Sequence, residues 1–224
     1  MITVHHLNNS RSQRILWMLE ETGVEYQVKH YQRNEKTQLA PKSLFKVHPL
    51  GKSPVITDDS GKSEITIAES GAIIEYLASK YCKDLIPRKG TESQRQYTYW
   101  LHFAEGSLMP QLLLKLIFDK IKTSPMPFFI RPIAKGIANK VLGDYVLPNV
   151  TNNMKFIEMH LGQNEWFAGN KMTGADIQMS FPLEAALTRM DSKDVPNIKA
   201  YVDKIHALDG YKKAIEVGGP YDYA

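Results

Sequence analysis

The chain has 224 residues, of which 43% are hydrophobic, and its formal net charge is +4. This length and composition suffice for one large domain or two small ones with proper cores. No run of about 18 apolar residues occurs, so neither a membrane span nor a membrane partner is expected. The basic residues are scattered rather than arranged in a stripe or an aromatic-interleaved motif, so no nucleic-acid partner is expected.

The N-terminal segment and the cysteine content favour the cytoplasm. Residues 1–14 lack the basic region followed by an apolar region that is typical of a secretory signal. Cys82 is the only cysteine, which fits a reducing compartment and excludes an internal disulfide. It also excludes a zinc site built from several cysteines. His102 has no second histidine or carboxylate at a convincing ligand spacing, so no metal site is predicted.

Residues 1–79 alternate short apolar strands with helical stretches. The predicted strands span, in chain order, residues 2–5, 25–31, 54–57 and 64–68. The predicted helical segments span residues 11–22, 41–46 and 71–79, the second being a short helix or turn. Gly23 stands where a helix C-cap glycine is expected. Because a helix connects the first two strands, they should be parallel, whereas the tight polar turn between the last two predicts a hairpin.

The second half of the chain is helical throughout. Residues 81–92 are polar and contain Pro87 and Gly90, which is typical of a linker. Two long helices are predicted over residues 94–122 and 133–161, separated by three prolines within residues 124–132 and with a bend expected near Pro148. Further helices should start near Thr173 and Asn197. The sequence therefore predicts an α/β domain over residues 1–80 and an all-α domain over residues 93–224.

Residues 48–77 are the most informative segment. Ser53 and Pro54 precede a strand, where an X-Pro bond held cis presents a fixed main-chain edge. Glu69 and Ser70 open a helix, and the free N–H groups of a helix N-terminus bind carboxylates. Together these features predict a receptor for a small, charged, extended peptide. The alternatives are an ordinary turn proline, and a Ser70 that serves only as a helix N-cap.

Three motifs together resemble the cytosolic glutathione S-transferase family, and the resemblance covers nearly the whole chain. They are HPLGKSPVI at 48–56, ESGAI at 69–73 and MTGADI at 172–177. The first differs from the usual family loop by having His48 in place of asparagine. A fourth phrase, WLHFAEGSLMPQL at 100–112, further resembles a bacterial and fungal subgroup of the serine type. The resemblance implies a thioredoxin-like domain that binds glutathione, followed by an all-helical domain that forms most of the second-substrate pocket.

By this resemblance glutathione is the co-substrate, and four residues of the receptor contact it. Beside a cis Pro54, the main chain of Ser53 would pair with the cysteinyl part of glutathione like an added strand. Ser70 would bind the α-carboxylate of the γ-glutamyl end, helped by the helix dipole, and Glu69 would lie near the α-ammonium.

The glycyl carboxylate of glutathione also needs a cation. Lys52, in the predicted binding loop, is the first candidate, and Lys42 and His48 are the alternatives. A solvated loop lysine is the competing interpretation of Lys52.

The resemblance also implies a group after the first strand that stabilises the glutathione thiolate. A free thiol has a pKa of about 8.5 and is mostly protonated at neutral pH, and a hydroxyl that donates to sulfur lowers that pKa. The loop contains neither tyrosine nor cysteine, so Ser10 is the first candidate and Ser12 the second, with Asn9 or a backbone N–H as alternatives. Arg11 would add positive potential. The competing interpretation is structural, because Ser10 and Gln13 match the capping box S-x-x-Q.

The second-substrate pocket is expected to be apolar and to lie between the two domains. Its candidate residues come from the loop after the first strand and from the first long helix; they are Leu7, His102, Phe103, Glu105, Gly106 and Met109. Helix packing or dimer contact is the alternative for all of them. Glu105 is also a candidate for reaching glutathione across a homodimer interface.

Several other residues are interpreted as structural. Thr173 and Asp176 match a capping box before a helix, and Met172 and Ile177 match the hydrophobic staple that accompanies it. Loss of Asp176 should therefore cost stability rather than chemistry. The large aromatic residues interpreted as core are Trp100, Trp166, Phe128 and Phe129.

The leading functional hypothesis is a glutathione transferase with a cytoplasmic, detoxifying role. In such an enzyme the glutathione thiolate attacks an electrophilic carbon of a small apolar compound, and the rate gain comes from thiolate activation and proximity. The alternatives are a glutathione-dependent peroxidase or isomerase on the same fold, or a non-catalytic glutathione-binding or interaction module. A homodimer is implied by the resemblance.

Overall fold

A computed structural model describes residues 1–223, and the last residue of the predicted helical domain, Ala224, lies outside them. The N-terminal part contains four strands: β1 (Ile2–Leu7), β2 (Tyr26–Tyr31), β3 (Val55–Asp58) and β4 (Ile65–Ala68). They form one sheet in the order β2-β1-β3-β4. β1 is parallel to β2 and antiparallel to β3, and β3 and β4 form an antiparallel hairpin. The predicted parallel pair and the predicted hairpin are confirmed.

Two helices complete the N-terminal domain: α1 (Gln13–Thr22) and α2 (Ser70–Tyr81). The segment over Lys42–Lys46 is a short 3-10 helix. α1 starts two residues later than predicted and buries its first seven residues in succession. Gly23 ends α1 in the left-handed conformation, with φ 65° and ψ 22°, which confirms the predicted C-cap.

The rest of the chain is helical. Its helices are α3 (Glu92–Phe103), α4 (Met109–Thr123), α5 (Arg131–Val141), α6 (Leu147–Leu161), α7 (Gly174–Leu187), α8 (Pro196–Ala207) and α9 (Asp209–Gly218). Short 3-10 turns lie at Lys83–Leu85 and Ser192–Asp194. A thioredoxin-like sheet domain followed by an all-helical domain is the predicted fold class, which is therefore confirmed.

Each of the two predicted long helices contains a π-helical turn. Ala104–Leu108 joins α3 to α4, and Leu142–Val146 joins α5 to α6. A proline follows each turn closely, Pro110 in the first case and Pro148 in the second. Proline has no N–H to donate within a helix and its ring displaces the preceding turn, so the backbone widens there. The irregularity expected near Pro148 is present, as the π-helical turn at Leu142–Val146. The corresponding turn at Ala104–Leu108 was not predicted.

α7 is the central helix of the molecule. Its residues are buried along almost its whole length, and it contacts α1 and α2 of the first domain as well as α3, α4 and α8. Thr173 and Asp176 form the predicted capping box at its start. Gly174 follows directly, and a Cβ at this position would lie 2.7 Å from Ile74 Cγ2. The absence of a side chain at Gly174 is what lets α7 approach α2 so closely.

The aromatic residues divide into two groups. Trp100 is fully buried, with its ring centroid 4.7 Å from that of Phe167, and Trp166 packs against the same core. The prediction for Phe128 and Phe129 is wrong, because their side chains are 80% and 63% exposed. They lie in the turn between α4 and α5, beyond the part of these helices that packs on the core. Among residues 1–223, no helix is long and apolar enough to cross a membrane.

Candidate functional site

The loop between β1 and α1 is held in place by Arg33. Its guanidinium donates to the carbonyl oxygens of Asn8 (3.1 Å) and Asn9 (3.2 Å), and its backbone N–H donates to Asn8 Oδ1 (2.8 Å). Asn9 adopts the left-handed conformation, with φ 49°, which asparagine tolerates better than most residues. The loop that carries the candidate thiolate stabilisers is thus fixed by hydrogen bonds from Arg33, which lies in the segment after β2.

Two hydroxyls and an imidazole form a chain behind this loop. Ser10 Oγ lies 2.8 Å from Ser12 Oγ, which lies 2.9 Å from His6 Nδ1. Ser12 Oγ also accepts from the Leu7 N–H at 3.2 Å, and its side chain is completely buried. Burial, reinforced by the charge of His30 and partly offset by the Gly218 backbone, lowers the pKa of His6 to about 4. At neutral pH one end of the chain is therefore an uncharged imidazole, and the other end is Ser10, which is 4% exposed.

The capping box predicted for Ser10 and Gln13 does not form. Ser10 Oγ accepts from the Ser12 N–H at 3.2 Å rather than from Gln13. The Gln13 side chain donates instead to the Ala214 carbonyl in α9, at 2.8 Å. Because Gln13 faces the helical domain, its amide is not directed back to Ser10. The hydroxyl of Ser10 therefore forms no S-x-x-Q box, although it still accepts from the Ser12 N–H at the start of α1.

The Ser53-Pro54 peptide bond is cis, as the motif predicts. It lies directly before β3, whose pairing with β1 ends at His5 and Val55. The Ser53 hydroxyl donates to the His5 carbonyl at 2.9 Å. Within residues 1–223 the Ser53 N–H and C=O take part in no hydrogen bond, so this main chain is an open edge for an extended peptide. Lys52, beside it, is exposed.

Glu69 and Ser70 stand at the start of α2 in two different environments. Glu69 is exposed and has φ 71° and ψ 120°, a conformation that is strained for any residue other than glycine. Ser70 is 3% exposed and is the first residue of α2. The N–H groups of the first turn of a helix have no partner within the helix and favour an anion. The pair thus places one exposed carboxylate beside one buried hydroxyl.

Arg14 anchors Ser70 from inside the protein, and the sequence reasoning missed it. Its guanidinium is fully buried, donates to Ser70 Oγ and to a carboxylate oxygen of Glu105, and reaches the Gln178 carbonyl at 2.5 Å. Burial lowers the pKa of Arg14, and the charge of Glu105 opposes that effect. The available signal was an arginine in α1 directly before the apolar run from Ile15 to Leu19. Its partners, 56 to 164 residues away, could not be read from the sequence.

Glu105 connects the two domains through charge. Its carboxylate accepts from Arg11 Nε, at 2.9 and 3.0 Å to its two oxygens, and from Arg14. Burial raises the pKa of Glu105, but the charges of Arg14 and Arg11 outweigh it and hold that pKa below its ordinary value. Glu105 was predicted as a wall of the second-substrate pocket or as a contact across a dimer. In this structure its carboxylate is instead committed to two arginines of the first domain.

The C-terminal segment closes over the same loop. Asn9 Nδ2 donates to Asp222 Oδ2 at 2.7 Å, and the Asp222 N–H donates back to Asn9 Oδ1 at 2.9 Å. The neighbouring Tyr221 hydroxyl donates to the buried Glu184 at 2.5 Å. Both polar ends of the Asn9 amide are therefore already paired. This contact was not foreseen, because it joins residues 213 positions apart.

The residues predicted for the second-substrate pocket do not form one surface. Leu7 is buried in a small cluster with Tyr31 and Leu44, on the face of β1 opposite to Ile2 and Val4 of the main core. Phe103 and Met109 are each 8% exposed and belong to the main core. The exposed members of the predicted set are His102 and Gly106. Packing, the stated alternative, describes the placement of the apolar members.

The assembled arrangement offers an open peptide edge at Ser53, an anion site at Ser70 and a hydroxyl at Ser10. All three are tied to β1 or α1, either directly or through the contacts of His5 and Arg14. Across residues 1–223 no group of three or more His, Cys, Asp or Glu side chains is placed to hold a metal ion. Such an arrangement can bind an extended anionic peptide and stabilise negative charge beside Ser10.

Comparison with known proteins gives the same assignment for both halves of the chain. Residues 1–79 match the family model of the glutathione S-transferase N-terminal domain, and residues 119–209 match that of the C-terminal domain. Glutathione S-transferase 3 of Schizosaccharomyces pombe is 39% identical over 90% of this chain and 81% of its own length. Glutathione S-transferase 1 of Saccharomyces cerevisiae is 34% identical over 96% of this chain and 94% of its own.

A solved structure agrees with these relatives. A glutathione S-transferase from Actinobacillus pleuropneumoniae is 32% identical, covers 100% of this chain and 95% of its own, and superposes with a TM-score of 0.78. Two family models, two curated relatives and one closely superposable structure therefore agree with the motifs and with the fold. The chain belongs to the glutathione S-transferase family.

Proposed function

We propose that this glutathione transferase joins the thiolate of glutathione to an electrophilic carbon of small apolar compounds. The observation that carries the proposal is the open main-chain edge of Ser53, beside the cis Pro54 and tied to β1. An extended tripeptide can add to such an edge as a further strand, which fixes its cysteinyl part beside the Ser10 loop. Holding the thiolate and the electrophile together supplies much of the rate gain in a reaction of this kind.

In the proposed complex each end of glutathione meets a complementary group. The γ-glutamyl carboxylate binds the Ser70 hydroxyl and the first N–H groups of α2, where the helix dipole favours an anion. The γ-glutamyl ammonium pairs with Glu69, whose exposed carboxylate is free to approach it. Lys52, exposed in the loop before Ser53, pairs with the glycyl carboxylate. The proposal thus assigns every charge of the tripeptide to a partner.

Ser10 is the proposed donor to the thiolate. It is the end of the hydroxyl chain farther from His6 and is 4% exposed, whereas Ser12 is 0% exposed and has partners on three sides. On ligand binding the Ser10 hydroxyl exchanges its contact with Ser12 for a charge-assisted hydrogen bond to sulfur, which is the stronger of the two. Arg11, Arg14 and Arg33 all lie against this loop or the helix after it, and their positive charge favours the thiolate over the thiol.

The proposed second-substrate surface lies along the first long helix beyond Glu105. Residues three, four and seven or eight positions apart share one face of a helix. Glu105 contacts Arg11 of the first domain, and α4, which follows the π-helical turn, exposes Leu113, Leu116 and Ile117 on one face of its own. With the exposed His102 and Gly106, they offer an apolar wall with few polar groups, which suits a small apolar electrophile.

A homodimer in the cytoplasm completes the proposal. Tyr99 and Phe156 are exposed by 46% and 41%, and they stack into a group with Phe103 and Trp100. Exposed aromatic groups of this kind are typical of the centre of protein interfaces. The cytoplasmic location is supported by the single cysteine.

Retention on immobilised glutathione, followed by a conjugation assay with a small aromatic chloride, tests the proposed function. The wild-type protein should be retained, should elute with free glutathione and should form the conjugate. Lack of retention would exclude glutathione binding by the proposed receptor. Retention without turnover would favour a binding module, and turnover only with a hydroperoxide would favour a peroxidase.

A matched pair of variants assigns any retention to the proposed residues. Glu69→Gln removes the exposed receptor carboxylate and should weaken retention. Glu64→Gln removes an exposed carboxylate located outside the receptor, at the end of the β3–β4 turn, and should behave like the wild type. Equal retention of both variants would exclude Glu69 as the partner of the ammonium.

A further inference from the structure

The turn between α4 and α5 exposes an unusual concentration of apolar side chains. Phe128 and Phe129 are 80% and 63% exposed, and their rings meet edge to face with centroids 5.5 Å apart. The exposed isoleucines that follow are Ile130, Ile133 and Ile137. Their spacing of three and four residues places them on one face at the start of α5. We call residues 120–140 the α4–α5 tip.

The α4–α5 tip also accounts for the net positive charge of the chain. It contains five of the 28 basic residues and none of the 24 acidic ones, so the remainder of the chain has a net charge of −1. Lys122 pairs with Asp119 at 3.1 Å and Lys140 with Asp144 at 2.8 Å, both partners lying outside the tip. The basic side chains of the tip that form no ion pair within residues 1–223 are Lys120, Arg131 and Lys135.

The backbone of the tip is defined by its own contacts. The Ser124 hydroxyl donates to the Lys120 carbonyl at 2.7 Å, and Arg131 Nε donates to the Met126 carbonyl at 3.0 Å. Pro125 and Pro127 fix φ within the turn, and Pro132 does so at the start of α5. The two phenylalanines are therefore held outward by an ordered turn, although an apolar surface of this kind is normally buried.

We propose that the α4–α5 tip docks on an anionic lipid surface, which differs from the expectation, drawn from the lack of a long apolar run, that the chain has no membrane partner. Phe128 and Phe129 enter the interfacial region of the bilayer, where aromatic rings are favoured. Lys120, Arg131 and Lys135 meet the phosphate and carboxylate groups of the lipids. A cation close to an anionic membrane contributes about a fivefold gain in partitioning. Two aromatic anchors with several cations are the combination of signals that peripheral attachment requires.

The charge of the tip favours a lipid surface over a second copy of the chain. A symmetric contact between two tips would bring ten cations together without an acidic side chain, and like charges at short range repel. Nucleic acid would pair with the lysines, but Ile133 and Ile137 have no partner on its polar surface. A bilayer satisfies both the cations and the aliphatic side chains.

Docking in this way leaves the glutathione site accessible. The tip lies one helix length beyond the π-helical turn that carries Glu105, since the 15 residues of α4 span about 22 Å. Attachment at the far end of α4 therefore does not cover the Ser10 loop. The proposal stands on the tip alone and does not depend on the reaction that the site performs.

Co-sedimentation with lipid vesicles tests this inference. The wild-type chain should sediment with vesicles containing about 30% phosphatidylserine in phosphatidylcholine, should not sediment with phosphatidylcholine alone, and should be released as the salt concentration rises. Two double variants, Phe128→Ser with Phe129→Ser and Lys120→Glu with Lys135→Glu, should each bind at least tenfold more weakly. Their thermal melting and conjugation activity should remain those of the wild type.

A charge-matched control makes the test specific. Lys193→Glu with Lys213→Glu changes the net charge equally at exposed positions outside the tip, and it should bind vesicles nearly as well as the wild type. The inference is overturned if the wild type ignores phosphatidylserine vesicles, or if the control loses as much affinity as the tip variants. It is also overturned if the phenylalanine variants split a dimer in sedimentation velocity. Tight binding to duplex DNA that is insensitive to the phenylalanine substitutions would likewise overturn it.

Discussion

Arg14 and Ser70 are joined by a buried hydrogen bond in which the guanidinium donates to the hydroxyl oxygen. A hydroxyl that accepts in this way keeps its own proton for another partner. The Ser70 O–H is therefore left to donate to another acceptor, which we propose is the γ-glutamyl carboxylate of glutathione. The same guanidinium also holds Glu105 and the Gln178 carbonyl of α7, so one side chain links the peptide receptor to the helical domain.

Replacing Arg14 should affect glutathione binding and stability together. In Arg14→Met we expect the KM for glutathione to rise about tenfold with a small change in kcat, because the substitution acts on ground-state binding. The free energy of unfolding should fall by about 3 kcal/mol, since a buried charge network loses a member. Urea unfolding and steady-state kinetics measure the two effects.

A control and a double variant separate positioning from general destabilisation. Arg95→Met removes the exposed Arg95–Glu92 pair and should leave both quantities unchanged. If Arg14 acts through Ser70, then Ser70→Ala should cost less affinity in the Arg14→Met background than in the wild type. Strict additivity of the two substitutions would show that Arg14 does not position Ser70.

Replacing Glu69 by glycine should have opposite effects on stability and on glutathione binding. Glu69→Gly relieves the strain of φ 71°, which costs of order 1–3 kcal/mol for a residue other than glycine, while it removes the proposed partner of the ammonium. We expect a free energy of unfolding at or above that of the wild type, together with an approximately tenfold higher KM for glutathione. A variant that is destabilised and binds normally would contradict both parts of the assignment.

Asp176 should be essential for stability and irrelevant to the chemistry. Its buried carboxylate accepts from the N–H groups of Phe167 (2.9 Å) and Thr173 (2.7 Å) and from the Tyr201 hydroxyl (2.9 Å). Asp176→Ala leaves these donors without a partner, so we expect a loss of about 3 kcal/mol in the free energy of unfolding. Asp176→Asn keeps one acceptor oxygen and should lose less. Normal melting of Asp176→Ala would refute this role, as would a fall in kcat per folded molecule.

The local features of the fold could be predicted because they depend on neighbouring residues. The Gly23 cap, the Thr173–Asp176 box and the parallel and hairpin pairings follow from short-range patterns. Phe128 and Phe129 were misassigned because hydrophobicity alone does not reveal whether a turn reaches the core. The contacts of Arg14 with Ser70 and Gln178 join distant segments, and no periodicity in the sequence records them.

Within the candidate site, the peptide edge was easier to anticipate than the loop. The cis Ser53-Pro54 bond followed from a contiguous motif. The conformation of the Ser10 loop depends on contacts with distant segments. Arg33 donates to the Asn9 carbonyl, and the Asn9 side chain donates to Asp222. The Ser10 capping box, which was the competing interpretation, does not form, because the Gln13 side chain donates to the Ala214 carbonyl in α9 instead.

His6 should make stability depend on pH in the mildly acidic range. Its pKa is about 4 in the folded protein and 6.5 as its ordinary value, so below pH 6.5 the unfolded chain binds a proton that the folded protein refuses. Stability is therefore lost as the pH falls from 6.5 to about 4, by about 3 kcal/mol for this group. Urea unfolding across this range should show a shallower loss in His6→Asn than in the wild type. Parallel profiles for the two proteins would contradict the assignment.

The direct test of the proposed chemistry is the ultraviolet absorbance of the glutathione thiolate, measured while glutathione is titrated into the protein at about pH 7, below the pKa of the free thiol. The wild type should show saturable thiolate absorbance. Ser10→Ala should still bind glutathione, by calorimetry, but with most of that absorbance lost, whereas Ser12→Ala should retain more of it because Ser12 lies behind Ser10. Full thiolate absorbance in Ser10→Ala would contradict the account and transfer the role to Asn9 or to a backbone N–H of the loop.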